Sequence, residues 1–437
     1  MDKIIKVALF IFLSAYFLLE NDVNFIGTLY FYFLGLLAIY DVAFYRRITL
    51  LTVWNLAYLF IINSEIFSEY FTVNNYTLSA VKYLVIANNL INLGYLSINY
   101  LSERRNLFSK NENPKSSKFL IPLLIGLVSL YFFSTFPDAL LAFTIGRSSA
   151  SDQGDGNFVV SSIVSALGFI LPAVLAYYYI HIKNSKIWKP LLFSAPIFTI
   201  LFLGGSRFPL LFSFLGFAIV IQFKNKKKFK FKNYIQIMFI LLSLLYASDA
   251  MKALRGAGFS ATNETLQKTE KYTNFTRYVN GYFSQEGVID MTSLMFRHFS
   301  SHPHLNGSST SFILYFWIPR EFWHDKPTML GYWFIREYRG GFGEGHSASF
   351  GFTGDLFADF GLFSLIPVFF LGRLLKIGDR FKDEALKSGN FKMILGAMIF
   401  PYVFFFVRSP ITSTMSFLGI LFFYFLIKKL MFKKVKI

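Results

Sequence analysis

Apolar residues in this chain run in long unbroken blocks instead of recurring every three or four positions. About twelve of the blocks approach ~20 residues, the length a helix needs to cross the hydrocarbon core of a bilayer. They fall at 4–19, 24–45, 49–67, 77–100, 119–136, 158–180, 188–203, 208–223, 233–250, 351–372, 392–407 and 411–427. The expected fold is all-α: one polytopic transmembrane helix bundle over 1–437, with a long loop at 251–350 between the ninth and tenth spans. The first block is followed by Glu20-Asn21-Asp22 and not by small residues, so it reads as a retained helix and not a cleaved signal. Within the loop, 311–318 (Ser-Phe-Ile-Leu-Tyr-Phe-Trp-Ile) is apolar but too short to cross. It is expected to dip into the outer leaflet or to pack over the bundle.

Composition agrees with the block pattern. Of 437 residues, 54% are hydrophobic and 16% charged, against roughly 25% charged in soluble domains. A soluble globular fold, a disordered chain and a peripheral protein on a single anchor are thereby excluded. The absence of cysteine excludes thiol catalysis, disulfides and thiolate metal sites.

The net charge of +18 would ordinarily point to nucleic acid or another acidic partner. Its distribution says otherwise. Basic residues gather at alternate connections: Lys3/Lys6, Arg46/Arg47, Arg104–Lys118, Lys183–Lys189, Lys224–Lys232, Arg373–Lys392 and Lys428–Lys436, which together hold 29 of the 43. The intervening connections are short and acidic or neutral (Glu20/Asp22, Glu65/Glu69, Asp138, Asp152/Asp155). By the positive-inside rule both termini are cytoplasmic and the 251–350 loop is periplasmic. The charge is an orientation signal, and no nucleic-acid partner is implied.

The informative cations are then those on the outer side. Arg147, Arg207, Arg255, Arg320 and Arg408 lie at or just beyond the outer ends of spans, and Lys326 follows Arg320 by six positions. Each either pairs with a local acid or snorkels to headgroups, or serves a ligand. Arginine grips phosphate with a planar fork and stays protonated, so several at one cavity would suit a pyrophosphate at the membrane surface.

Asp355 and Asp359, four apart, share one helix face. They read as caps complementing a helix dipole, as a general base for a sugar hydroxyl, or as the partner of an essential arginine. His346, between glycine and serine just before the tenth span, is the histidine placed for acid–base work, or for a loop hydrogen bond. No metal motif appears among His298, His302, His304, His324 and His346, and no metal is expected. The run Gly340 to Gly345 lacks a preceding strand and a following Gly-Lys-Ser/Thr, so it is not a nucleotide loop. Trp317, Trp323 and Trp333 suit either sugar stacking or interfacial anchoring.

Several strings carry a resemblance. They are Ile318-Pro319-Arg320-x-x-Trp323-x-x-Lys326-Pro327, the glycine-flanked His346-Ser347, and Gly354-Asp355-x-x-x-Asp359-Phe360-Gly361. With the outward arginines and the long loop before the last three spans, they resemble the bacterial O-antigen (oligosaccharide repeat-unit) polymerases. The family commonly carries Glu where this chain has Asp355.

The resemblance implies a GT-C-like, Wzy-type glycosyltransferase of the inner membrane with a periplasmic active site. Its substrates would be undecaprenyl-pyrophosphate-linked oligosaccharides, without a nucleotide sugar or other cofactor, and a chain-length regulator protein is a possible partner. The family's need for outward arginines carries over to Arg147, Arg207, Arg255, Arg320 and Arg408. The rival readings are an O-antigen ligase, using the same donor with lipid A core as acceptor, and a lipid-linked oligosaccharide transporter. Against a transporter stand spans almost uncharged inside, apart from Lys82, and the absence of an internal repeat.

Overall fold

The computed structural model describes residues 3–45, 48–67, 71, 73–98, 117–145, 158–204, 207–223, 287–316, 318, 322–327, 329–339 and 350–432. Among the described residues the chain is helical, with no strand. Eleven of the twelve expected spans coincide with helices, and 233–250 lies outside the described residues. Six helical stretches are long and apolar enough to cross a membrane: Val23–Ala43, Leu50–Phe67, Phe119–Leu141, Val164–Ile182, Gly351–Ser388 and Thr414–Met431. Three shorter apolar helices accompany them: Trp188–Leu203, Pro209–Phe223 and Met393–Arg408.

The chain forms two compact units, each assembled from segments far apart in sequence. The first comprises Met1–Arg104, Thr276–Arg380 and Val403–Thr414. The second comprises Arg105–Phe275, Phe381–Tyr402 and Met415–Ile437.

The first unit begins with α1 (Lys3–Leu19), α2 (Val23–Tyr45), α3 (Leu50–Ile61, continued by a 3-10 turn, Asn63–Phe67) and α4 (Thr77–Ser97). α4 is the most polar of these, because Asn88, Asn89 and Asn92 interrupt it. All three are buried and bonded to neighbouring helices. Asn88 accepts from the Trp54 indole N–H (2.8 Å) and donates to the Tyr30 hydroxyl (2.8 Å). Asn92 and Asn55 exchange amide hydrogen bonds at 2.9 and 3.0 Å. Asn89 accepts from Tyr30 and donates to Ser14. In lipid such paired amides hold helices together, since apolar contact alone gives no preference over lipid tails.

The second unit contains α5 (Ser117–Ile145), α6 (Phe158–Ala176, continued by a π-helical turn, Tyr177–Ile182), α7 (Trp188–Leu203) and α8 (Arg207–Phe223). Its core runs through Leu167, Ile170, Val174, Ile197, Val220 and Met398. Here the packing is almost wholly apolar, and small residues let helices approach: a side chain on Gly419 would strike Ala166.

Three short helices of the long loop belong to the first unit: α9 (Val288–Phe299), α10 (Ser308–Tyr315) and α11 (Leu330–Arg339). They are followed by α12 (Gly351–Phe360), a 3-10 turn (Gly361–Ser364) and α13 (Leu365–Ser388), then α14 (Met393–Arg408) and α15 (Pro410–Met431). α13 continues well past the apolar block expected to end at 372, because its later turns are amphipathic and stay helical without being apolar throughout. α4 and α13 meet backbone to backbone. A side chain on Gly94 would fall 2.0 Å from the Phe369 carbonyl, and one on Gly372 would fall 2.0 Å from that of Ile91.

Candidate functional site at one end of the first unit

Charges in the first unit sit at the ends of helices that are distant in sequence, and each sign suits the dipole it meets. Asp379 of α13 accepts from the Leu50 N–H that opens α3 (3.1 Å) and from the Tyr95 hydroxyl (2.8 Å). At the same end Asp41 pairs with Lys6 and accepts from Thr52. Lys82, the one charge expected inside a span, donates to the Leu18 carbonyl at the end of α1 (2.9 Å) and to Asn21.

Along α3 and its 3-10 turn, about 22 Å away at ~1.5 Å per residue, Glu65 accepts from Ile289 N–H (2.8 Å) and Asp290 N–H (3.0 Å), the first amides of α9. Ser293 adds a hydrogen bond to Asn74. Asp359 does the same for α10, accepting from Ser309 N–H (3.0 Å) and Thr310 N–H (2.7 Å). Lys326 closes the other end of α10, its Nζ donating to the carbonyls of Phe316 (2.6 Å) and Ile318 (2.8 Å).

These contacts give Asp359 and Lys326, both candidates from the sequence, defined structural duties. Asp355 differs. It is 8% exposed, lies one turn before Asp359 on α12, and makes no hydrogen bond or ion pair among the described residues. The other buried carboxylates, Asp41, Glu65, Asp359 and Asp379, all have partners.

α12 is held firmly around Asp355. The Tyr83 hydroxyl donates to the Thr353 carbonyl (2.8 Å) and lies 2.7 Å from the Ser364 hydroxyl. Phe357 stacks on Phe296 at 4.0 Å between ring centres. Gly351, with φ +66°, opens α12 against the end of α14: a side chain there would come within 2.8 Å of the Val407 carbonyl. The last turn of α14, which carries the half-buried Arg408, therefore abuts the first turn of α12, which leads to Asp355.

Further polar atoms near α12 lack a hydrogen-bond partner while buried: Thr353 Oγ1, Ser309 Oγ and His304 Nδ1. His304 lies parallel to Phe299 (4.9 Å) and edge-on to Phe357 (5.5 Å), in space that exists because residue 361 is glycine. Glu65, Tyr83 and His304 were not singled out for these positions by their sequence neighbours. Only Glu65 carried a signal, an acid at the outer end of an apolar block.

Of the remaining candidates, Arg147, Arg255, Arg320 and His346 lie outside the described residues. Arg207 opens α8 in the second unit. Among the described residues no three His, Cys, Asp or Glu side chains gather as a metal site. Chemically, the end of the first unit offers a buried carboxylate with unused acceptor capacity beside a helix terminus bearing an arginine. Such a pair can accept a proton from a hydroxyl and stabilise developing negative charge. No family model, no curated protein and no solved structure compared with this chain matches it.

Proposed function

We infer that this chain is a membrane glycosyltransferase that joins lipid-pyrophosphate-linked oligosaccharide repeat units on the periplasmic side of the inner membrane. Two lines support the reading: the resemblance of the 318–327 and 354–361 strings to repeat-unit polymerases, and the state of Asp355. The observation that carries it is the buried Asp355 side chain, without a hydrogen-bond partner among the described residues, on a helix that starts against the turn bearing Arg408.

In the proposed reaction a hydroxyl at the non-reducing end of one lipid-linked unit attacks the anomeric carbon of the sugar that links the growing chain to its lipid pyrophosphate. The new glycosidic C–O bond forms as the bond to the pyrophosphate oxygen breaks. Asp355 takes the hydroxyl proton, and the lipid pyrophosphate leaves with its charge stabilised by arginine, Arg408 foremost. The leaving group is already activated, so no nucleotide is consumed.

The test is the glycan made by cells carrying Arg408→Ala or Asp355→Asn. Surface polysaccharide should collapse to single repeat units while the protein stays in the membrane. Normal long-chain polysaccharide in either variant would overturn the assignment. Loss of glycan transfer to lipid A core, with polymer length unchanged, would indicate a ligase instead.

A further inference from the structure

We propose that α10 is re-entrant, with its exposed residue Leu314, and Phe322 beyond it, seated in the acyl chains of one bilayer leaflet. Under the charge alternation of the sequence this is the periplasmic leaflet. The proposal is independent of the enzymatic reading.

The depth of α10 is set by where it is tied. Leu305 and Asn306 donate their N–H groups to the carbonyls of Ala358 and Asp359, both at 3.0 Å, and Asp359 holds the first amides of the helix. The Phe360 ring lies against the backbone of Gly307, which directly precedes α10. From this point on, the tenth span shows a continuous exposed apolar stripe: Leu362, Phe363, Ile366, Phe370, Leu374 and Ile377. Their three- and four-residue spacing marks one helix face, and in a membrane-crossing helix such a face meets lipid. α10 thus begins where that lipid-facing stripe begins.

The exposed side of the element has the same character. Leu314 is 74% exposed and Phe322 is 84% exposed. Like Leu362 and Phe363 of the span, they are large apolar side chains left uncovered.

The termini supply the third argument. A short helix leaves amides and carbonyls without partners at each end, and lipid cannot satisfy them. Here the first amides go to a fully buried carboxylate, Asp359, and carbonyls past the last turn go to a buried ammonium, Lys326. The hydroxyls of Thr310, Ser311 and Tyr315 turn back onto the carbonyls of Gly307 and Ser308.

The chain has no cysteine, so single probes can be placed without a background. Leu314→Cys and Phe322→Cys would be made in the full-length protein, with Ile366→Cys as a reference on the exposed face of the span and Ser301→Cys as a reference in the exposed loop. Each would carry a bimane label in liposomes containing phosphatidylcholine with a nitroxide on the acyl chain. Labels at 314 and 322 should be quenched as strongly as the label at 366. Their cysteines should react with a charged, water-soluble thiol reagent roughly tenfold to a hundredfold more slowly than the one at 301, the partition expected for a large apolar side chain. Reaction as fast as at 301 would place the element in water. Slow reaction without lipid quenching would place it against protein. Either result overturns the proposal.

Discussion

The carboxylate of Asp359 lies 2.7 Å from the backbone N–H of Thr310, forty-nine residues earlier in the chain. That contact separates two acids that share one helix face. Asp359 is engaged by the start of α10, whereas Asp355, one turn away and nearly as buried, has no hydrogen-bond partner among the described residues. An acid bonded to two backbone amides has its acceptor capacity committed and is poorly placed to take a proton from a substrate. The opposite states of the two acids lead to opposite expectations for their variants.

Asp359→Ala should destabilise the protein by about 1–2 kcal/mol, the usual cost of losing a helix N-cap. Asp359→Asn should cost less, since one oxygen acceptor remains. The check is hydrogen exchange at the Ser309 and Thr310 amides with thermal unfolding in detergent. Unchanged protection of both amides in the alanine variant would refute the capping role.

Lys326→Met keeps the stem over the Phe312 ring, where Nζ now lies 5.2 Å from the ring centre, but removes the two bonds to Phe316 and Ile318. A loss of about 1.5–3 kcal/mol is expected, the range for hydrogen bonds to a charged group. Combined with Asp359→Ala the effect should be less than additive. Once either end of α10 is released, the other contact has less helix left to hold. A double-mutant cycle by thermal unfolding measures this.

Asp355→Asn should leave unfolding temperature unchanged or raised. It exchanges a buried acid that has no hydrogen-bond partner among the described residues for an amide of the same size, so no described bond is lost. The same variant should make no polymer. A marked fall in unfolding temperature would mean that Asp355 has a structural partner, and its catalytic role would lose its support.

Gly351→Ala should be costly for its size. Its φ of +66° disfavours any side chain by roughly 1–2 kcal/mol, and the new methyl would press on the Val407 carbonyl. The expected outcome is a lower unfolding temperature together with loss of polymer, because the turns bearing Arg408 and leading to Asp355 are pushed apart. Full activity would show that their juxtaposition is dispensable.

The sequence alone was sufficient for the helical class and for most helix positions, because a block of apolar residues about one bilayer thick has one stable state in lipid. It indicated less well how the helices hold together. Asn55, Asn88 and Asn92 read as interruptions of apolar runs, and only their mutual hydrogen bonds show them to be the interior of the first unit. The same holds for charge. Glu65 and Asp379 appear as ordinary connection acids, yet each closes a helix more than two hundred residues away along the chain.

Spacing put Asp355 and Asp359 on one face and left their uses open. It could not say which acid had which environment. That depends on whether a distant helix start arrives at the carboxylate, and this is a tertiary fact: α10 arrives at Asp359 and stops short of Asp355. Hydropathy along the chain determines what must be removed from water. Which polar group then finds a partner, and which is left with capacity to spare, is decided only when the segments meet.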